Sequence, residues 1–120
     1  MKNLDQIRAA NAIEAARKKM GAKEKGEVVK KIPTMIRDNG ILGALAFARE
    51  AGEGYADCFA AIITHLRSVK ASRADGIDSF LKELTEADSG EMRRITSEAM
   101  AYLNYLRRFA EKPEKGEGGK

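Results

Sequence analysis

The chain has few of the residues that support catalysis or metal binding. Its 120 residues include one cysteine, one histidine and no tryptophan. A single cysteine excludes an internal disulfide framework, and one cysteine with one histidine cannot form a Cys/His zinc site within the chain. GxSxG, HExxH and P-loop patterns are also absent from the sequence. We therefore expect no enzymatic activity, no metal and no cofactor; a carboxylate-only enzyme stays open, but nothing in the sequence favours one.

Long apolar runs are missing as well. No run approaches the roughly 20 residues that a membrane-spanning helix needs. The first residues, Met-Lys-Asn-Leu-Asp-Gln, do not form an apolar signal segment. These features predict one intracellular, cytoplasmic domain that has no membrane partner.

Positive charge is concentrated at one end of the chain. The first forty residues contain ten Lys or Arg against five Asp or Glu, whereas the remaining eighty contain twelve against thirteen. A basic surface suits a polyanion such as nucleic acid, and it equally suits a solvated face that only keeps a protein soluble. Charge alone does not separate these two readings.

Apolar residues recur at steps of three and four along most of the chain, which is the period of an amphipathic helix. The longest such run covers residues 88–111, and Asp88 and Glu91 at its start have the spacing of a capping box. Shorter helices are predicted at residues 3–20, 27–38, 41–48, 55–70 and 77–87. The sequence thus predicts an all-α, single-domain bundle of about six helices with a long C-terminal helix, occupying residues 1–111. Residues 112–120 have nothing to bury and are predicted to be disordered.

Local signals mark the ends of several predicted helices. Asn3 is expected to cap the first helix, and Asp78 the fifth. The segment of residues 22–26 is short and polar, which indicates a loop. Pro33 predicts a kink in the second helix or a restart of that helix, since an interior proline costs about 3 kcal/mol. Asn-Gly at Gly40 predicts a turn before the third helix, which is almost wholly apolar and is expected to be buried.

The two residues most often associated with reactivity have structural interpretations here. Cys58 lies on the apolar stripe of the fourth predicted helix, so we expect a small core residue and not a nucleophile. His65 lies at the edge of the same stripe, and the sequence offers it neither a second ligand nor a base. We expect His65 to have a structural role.

Three stretches together resemble a known family. Residues 31–36 read KIPTMI, residues 39–47 read NGILGALAF, and residues 94–110 read RITSEAMAYLNYLRRFA. In this order and spacing they resemble the small helical subunit of the Cmr-type (type III-B) CRISPR RNA-targeting effector complex. The resemblance extends over nearly the whole chain, to about residue 111.

The resemblance implies a non-enzymatic protein of antiviral defence. It implies several copies that stack along the inside of a helical ribonucleoprotein, beside a filament of backbone subunits that hold the guide RNA. The small subunits would line the groove in which the target RNA pairs with the guide, and would contact one another and the large multidomain subunit. Cleavage would be the task of other subunits.

A subunit that serves every target sequence should hold phosphates and ignore base edges. Lysine and arginine on the first two predicted helices suit that task, and we predict RNA contacts among Arg8, Arg17, Lys18, Lys19, Lys30, Lys31 and Arg37. Four aromatic residues are expected to face inward, which argues against base stacking: Tyr55, Phe59, Phe80 and Phe109. Contacts with other subunits are predicted at Met100 and Tyr105, which lie off the strict apolar stripe of the last helix, although ordinary surface exposure would give the same pattern.

Two other classes of function stay open. One is a helical adaptor that binds only protein and whose lysines merely solvate its surface. The other is a DNA-binding regulator, because residues 27–38, the turn and residues 41–48 suggest a helix-turn-helix. The last of these segments is apolar, however, where a recognition helix needs polar side chains. An RNA-binding assay with a salt titration separates the three classes, since an adaptor shows no RNA affinity and a regulator prefers one duplex sequence.

Overall fold

The structure, a computed structural model, describes residues 2–20 and 23–110. Within those residues it consists of five α-helices without any β-strand: α1 Leu4–Ala15, α2 Lys23–Ala51, α3 Glu53–Ser68, α4 Ile77–Glu86 and α5 Ser89–Ala110. A π-helical segment, Ala16–Met20, continues α1. The predicted all-α bundle with a long C-terminal helix is confirmed. The predicted tail at residues 112–120 lies outside the described residues.

Helix α2 is broken at Gly40, where φ is 82° and ψ is 161°. A residue with a side chain is strained at these angles, so glycine permits the break. The predicted turn at Asn39-Gly40 is confirmed. The two halves of α2, residues 23–39 and 41–51, correspond to the second and third predicted helices, so the helical pieces come close to the predicted six.

Pro33 lies inside the first half of α2, and the only non-helical backbone angles within α2 are those of Gly40. The predicted restart at Pro33 is therefore wrong. Ile32 and Ile36 lie on either side of it and are buried. Burying two such side chains stabilises the segment by about 3–6 kcal/mol, which outweighs the cost of about 3 kcal/mol for an interior proline.

Two predicted helix ends are also corrected. Helix α2 begins at Lys23, so residues 23–26 are helical and not part of a loop; Gly26 lowers helix propensity by only about 1 kcal/mol relative to alanine. Helix α4 follows Gly76, whose N–H donates to Ser79 Oγ at 3.2 Å. Asp78 therefore does not cap α4, and its carboxylate accepts a hydrogen bond from Arg49 Nε at 2.8 Å instead.

The two predicted capping boxes are confirmed by reciprocal hydrogen bonds. Asn3 Oδ1 accepts from the N–H of Gln6, and Gln6 Oε1 accepts from the N–H of Asn3, both at 2.8 Å. At the start of α5, Asp88 Oδ1 accepts from the N–H of Glu91 at 2.8 Å, and Glu91 Oε1 accepts from the N–H of Asp88 at 3.2 Å. Each box satisfies N–H groups that have no partner within the helix.

One apolar core lies between the helices. Helix α5 packs on α1, α2 and α3, and α2 packs on α3 and α4. The predicted stripe of α5 supplies six buried residues: Ile95, Ala99, Tyr102, Leu103, Leu106 and Ala110. Cys58 is fully buried in this core, as predicted. None of the helices in the described part of the chain is long and apolar enough to span a lipid bilayer.

The aromatic residues are only partly as predicted. Phe59 and Phe80 are fully buried, but Phe109 is 38% exposed, so the inward orientation predicted for Phe109 is wrong. It lies in the last turn of α5 and flanks the stripe that Leu106 and Ala110 define. Phe47 is 47% exposed, so the helix that contains it is not wholly buried.

Candidate nucleic-acid interface

Two of the predicted RNA-contacting cations lie on the π-helical segment and are exposed. The side chains of Arg17 and Lys18 are 70% and 68% exposed, and they lie 3.8 Å and 3.9 Å from the carboxylate of Glu14. Ion pairs that are this exposed and this long contribute little, so both cations stay available to an external anion. The side chain of Lys19 lies outside the described part of the structure.

Arg8 is held by internal carboxylates. Its Nη2 and Nε donate to the two oxygens of Glu98 at 2.6 Å and 2.8 Å, and its Nη1 donates to Asp5 at 2.8 Å. The side chains of Arg8 and Glu98 are only 17% and 11% exposed. A bidentate pair with a third partner already satisfies this guanidinium. Arg8 therefore lacks the free charge of the other predicted cations.

Three cations share the outer side of the first half of α2. Lys30, Lys31 and Arg37 are all exposed. Lys30 lies 3.9 Å from Glu27, and Arg37 Nη2 donates to Thr34 Oγ1 at 3.5 Å, so neither cation is strongly engaged. Lys30 and Arg37 are seven residues apart, which places them on nearly the same helix face with about 10 Å between them along the axis. That arrangement can meet more than one phosphate of an RNA strand.

Lysines of these two segments line different grooves. Lys18 lines a groove of about 320 Å³ between α1 and α3, together with the acidic Glu14 and Asp57. Lys30 and Lys31 line a second groove of about 530 Å³, which we call the α2 groove. The other residues that line the α2 groove are Thr34, Met35, Asn39, Phe47 and Tyr55. None of these described lining residues is acidic, so the α2 groove favours anions more than the groove at Lys18 does.

An aromatic pair forms one wall of the α2 groove, and the sequence did not predict it. Phe47 and Tyr55 are T-shaped, with ring centroids 5.1 Å apart and an interplanar angle of 86°. Tyr55 is half-buried, as its place on the apolar stripe suggested. The break at Gly40 brings Phe47, from the second half of α2, next to lysines of the first half. Periodicity within one helix could not reveal this contact.

His65 belongs to a buried polar network that links three helices. Its ring is fully buried and stacks on Tyr102, with centroids 4.3 Å apart and an interplanar angle of 7°. Asn11 Nδ2 on α1 lies 2.9 Å from His65 Nδ1, and Glu98 Oε2 on α5 lies 2.8 Å from His65 Nε2. A neutral ring fits both contacts, because Nδ1 accepts from the amide while Nε2–H donates to the carboxylate. The network serves packing, in agreement with the structural role expected for His65.

The network also sets the pKa values of its members. Burial lowers the pKa of His65, and this effect exceeds the opposing one of the hydrogen bond to Glu98. The hydrogen bond from Arg8 lowers the pKa of Glu98, against the opposing effect of burial. Both groups therefore bind protons more readily in the unfolded chain, and both make the folded state less stable in acid.

We expect stability to fall as the pH decreases through about 6.5, the ordinary pKa of histidine, because the unfolded state takes up a proton on His65 that the folded state refuses. Between about pH 7.5 and 5.5 the loss should reach up to about 1.4 kcal/mol in urea unfolding. His65 is the one histidine of the chain, so His65→Gln should remove this slope. If the dependence of stability on pH were unchanged in His65→Gln, protonation of His65 would not be its cause. The effect of Glu98 appears only at lower pH.

The residues predicted for subunit contacts are half-buried. Met100 and Tyr105 both pack against the core from α5 and keep part of their surface outside. Their role in an interface stays a prediction.

The second half of α2 does not resemble a recognition helix. Its inner face is buried, and its outer face includes the apolar Ala46 and Phe47. Arg49, which could contact a base edge, pairs with Asp78 at 2.8 Å. Base readout in the major groove requires polar side chains that are free to form hydrogen bonds. This surface disfavours the helix-turn-helix alternative.

Comparison with known proteins identifies the family. The family described as CRISPR-associated protein (Cas_Cmr5) matches residues 4–112, which is nearly the whole chain. Searches of curated proteins and of solved structures gave no match. The family match agrees with the resemblance that the motifs at residues 31–36, 39–47 and 94–110 carry. The chain belongs to the Cas_Cmr5 family of Cmr-type CRISPR-associated small subunits.

Proposed function

We propose that this protein is a non-catalytic small subunit of a type III-B CRISPR ribonucleoprotein and contacts the backbone of guide or target RNA without reading its sequence. Its partners would be the backbone subunit, the large multidomain subunit and further copies of itself, in the cytoplasm. Family membership supports a place in a Cmr-type complex. The observation that supports the RNA contact is the exposed set of Lys30, Lys31 and Arg37 on one rigid helix.

The chemistry of this surface suits contact that is independent of sequence. Lysine and arginine bind phosphate oxygens, which are the same at every nucleotide, and helices fix the spacing of those cations. Arg17 and Lys18 form a second exposed set, but Lys18 lines a groove in which the acidic Glu14 and Asp57 offset its positive charge. We therefore assign the main RNA contact to α2 and leave Arg8 out of it, because Glu98 and Asp5 already compensate that guanidinium.

Charge reversal on α2 should weaken RNA binding. We expect Lys30→Glu with Arg37→Glu to lower the affinity of the isolated chain for a single strand by about tenfold or more at low salt, since two phosphate contacts become repulsive. The slope of log affinity against log salt should fall by about 1.4, that is, about 0.7 for each phosphate that the variant no longer neutralises. Filter binding over a salt titration measures both quantities.

The matched control reverses two exposed cations elsewhere. Lys70→Glu with Arg73→Glu changes the net charge equally, at a groove that Glu83, Glu86 and Glu91 also line. This control should keep most of the affinity and the slope. Equal losses of affinity in both double variants would show that net charge, and not the α2 surface, drives binding.

The adaptor alternative predicts a different outcome. An adaptor would capture proteins without RNA and would show no affinity for RNA at low salt. Co-purification with the tagged chain from its native cell tests this, because guide RNA together with larger CRISPR subunits in the eluate supports the proposal. Protein partners without RNA would support the adaptor instead. Head-to-tail stacking of copies would use two different patches, and Met100 and Tyr105 are our proposed members of one of them.

A further inference from the structure

We propose that the α2 groove binds one unpaired nucleotide of single-stranded RNA, with its base stacked on Phe47 and its phosphates held by Lys30 and Lys31. The inference rests on the proposed function and deepens it, because it names the form of RNA that the groove recognises. Contact with the RNA backbone alone would not depend on whether the bases are paired, whereas this groove would prefer a strand with unpaired bases.

The platform is an exposed ring on a rigid element. Phe47 is 47% exposed although it is one of the larger apolar side chains of the bundle. The T-shaped contact with Tyr55 fixes the orientation of the Phe47 ring. Binding sites for single strands combine such rings with a positively charged groove, because every base has a face that can stack.

The charge and the polar groups around this ring suit a nucleotide. Lys30 and Lys31 line the same groove as Phe47, and no described lining residue is acidic. The hydroxyl of Thr34 and the amide of Asn39 also line it, and both residues are exposed. Such groups form hydrogen bonds with base edges or with the ribose hydroxyl. The groove volume of about 530 Å³ lies within the usual range for small-ligand sites, about 300–1,000 Å³.

Other occupants match this groove less well. A base within a duplex is stacked on both faces, so its ring cannot lie on Phe47 without leaving the helix. An apolar peptide docked on Phe47 would bring no negative charge to Lys30 and Lys31, and burying cations that lack a close counter-charge is unfavourable. A nucleotide supplies the flat apolar face and the negative charge together.

A tryptophan introduced in place of Phe47 reports directly on stacking. The natural chain contains no tryptophan, so Phe47→Trp introduces a single indole fluorophore into the groove. We expect oligouridine to quench its emission, and we expect the duplex of oligouridine with oligoadenylate to quench it much less. Phe109→Trp is the matched control, because Phe109 is another exposed aromatic residue of the chain and does not line the α2 groove.

Truncation of the ring measures its contribution to affinity. We expect Phe47→Ala to weaken binding of oligouridine by about fivefold or more, and Phe47→Tyr to retain it. Phe109→Ala should leave that affinity unchanged, and Phe47→Ala should leave duplex affinity unchanged. Circular dichroism of each variant checks that the helical fold is intact.

Several results would overturn the inference. If oligouridine left the indole emission of the Phe47→Trp variant unchanged, no base would stack at this ring. Equal losses of affinity for Phe47→Ala and Phe109→Ala would lead to the same conclusion. A sedimentation coefficient that rises with protein concentration would indicate self-association. If Phe47→Ala abolished that rise and kept the affinity for RNA, the groove would be assigned to a second copy. In each of these cases the weaker binding of Lys30→Glu with Arg37→Glu would still stand, so the proposed function would survive. Absence of RNA binding by the unmodified chain at low salt would overturn both.

Discussion

Glu98→Ala is expected to lower the free energy of unfolding by about 3 kcal/mol. The Glu98 carboxylate accepts two hydrogen bonds from Arg8 and one from His65, and its side chain is only 11% exposed. Removing it leaves the half-buried guanidinium without its main partner and the buried imidazole N–H without an acceptor. Loss of one partner of a buried pair typically costs about 3–5 kcal/mol, and the partial exposure of Arg8 favours the lower end. Urea unfolding measures the change.

A surface ion pair on α4 gives the matched control. Lys82 and Glu86 are 3.1 Å apart, and their side chains are 72% and 66% exposed. Glu86→Ala should cost no more than about 0.5 kcal/mol, because solvent screens such a pair. In the double variant Arg8→Ala with Glu98→Ala, the loss should be smaller than the sum of the single losses, since neither charge is left alone. A loss for Glu98→Ala no larger than that for Glu86→Ala would contradict the role of the network.

Tyr102→Ala is expected to have an effect of similar or greater size, about 3–5 kcal/mol. The Tyr102 ring is 1% exposed on α5 and stacks on His65 of α3. Truncation removes the stacking partner of a buried histidine and leaves a cavity at the junction of these two helices. The same urea titration measures the loss.

Tyr102→Phe separates the ring from its hydroxyl. This variant keeps the stacked ring and removes only one polar group, so its free energy of unfolding should change by no more than about 1.5 kcal/mol. If Tyr102→Phe cost as much as Tyr102→Ala, the hydroxyl and not the packing of the ring would carry the stability.

The fold was largely predictable from the sequence because its main signals are local. The apolar period of α5, the capping pairs at Asn3 and Asp88, and the glycine at position 40 each act within a few residues. The errors arose where tertiary packing overrides local preference. Pro33 is tolerated because its neighbours are buried. Asp78 lies in the first turn of α4 and pairs with Arg49, while Gly76 occupies the N-cap position.

The candidate site was less predictable, because it depends on contacts between distant residues. The sequence indicated which cations were available but not which ones internal acids compensate. Arg8 and Glu98 are 90 residues apart, and nothing in either helix alone indicates their pairing. The exposure of Phe47 could not be predicted either. An apolar residue in an apolar segment is predicted to be buried, and only the positions of the neighbouring helices show that it is not.

The break at Gly40 also restricts how the length of this part of the chain can vary. Lys31 and Phe47 line one groove only because a fixed number of helical residues lies on each side of the break. One inserted or deleted residue on either side would rotate its half of α2 by about 100° and carry the lysines or the ring out of the groove. A substitution that keeps the positive charge of Lys31 and the aromatic ring of Phe47 therefore preserves the groove, whereas a change in length between these two positions does not.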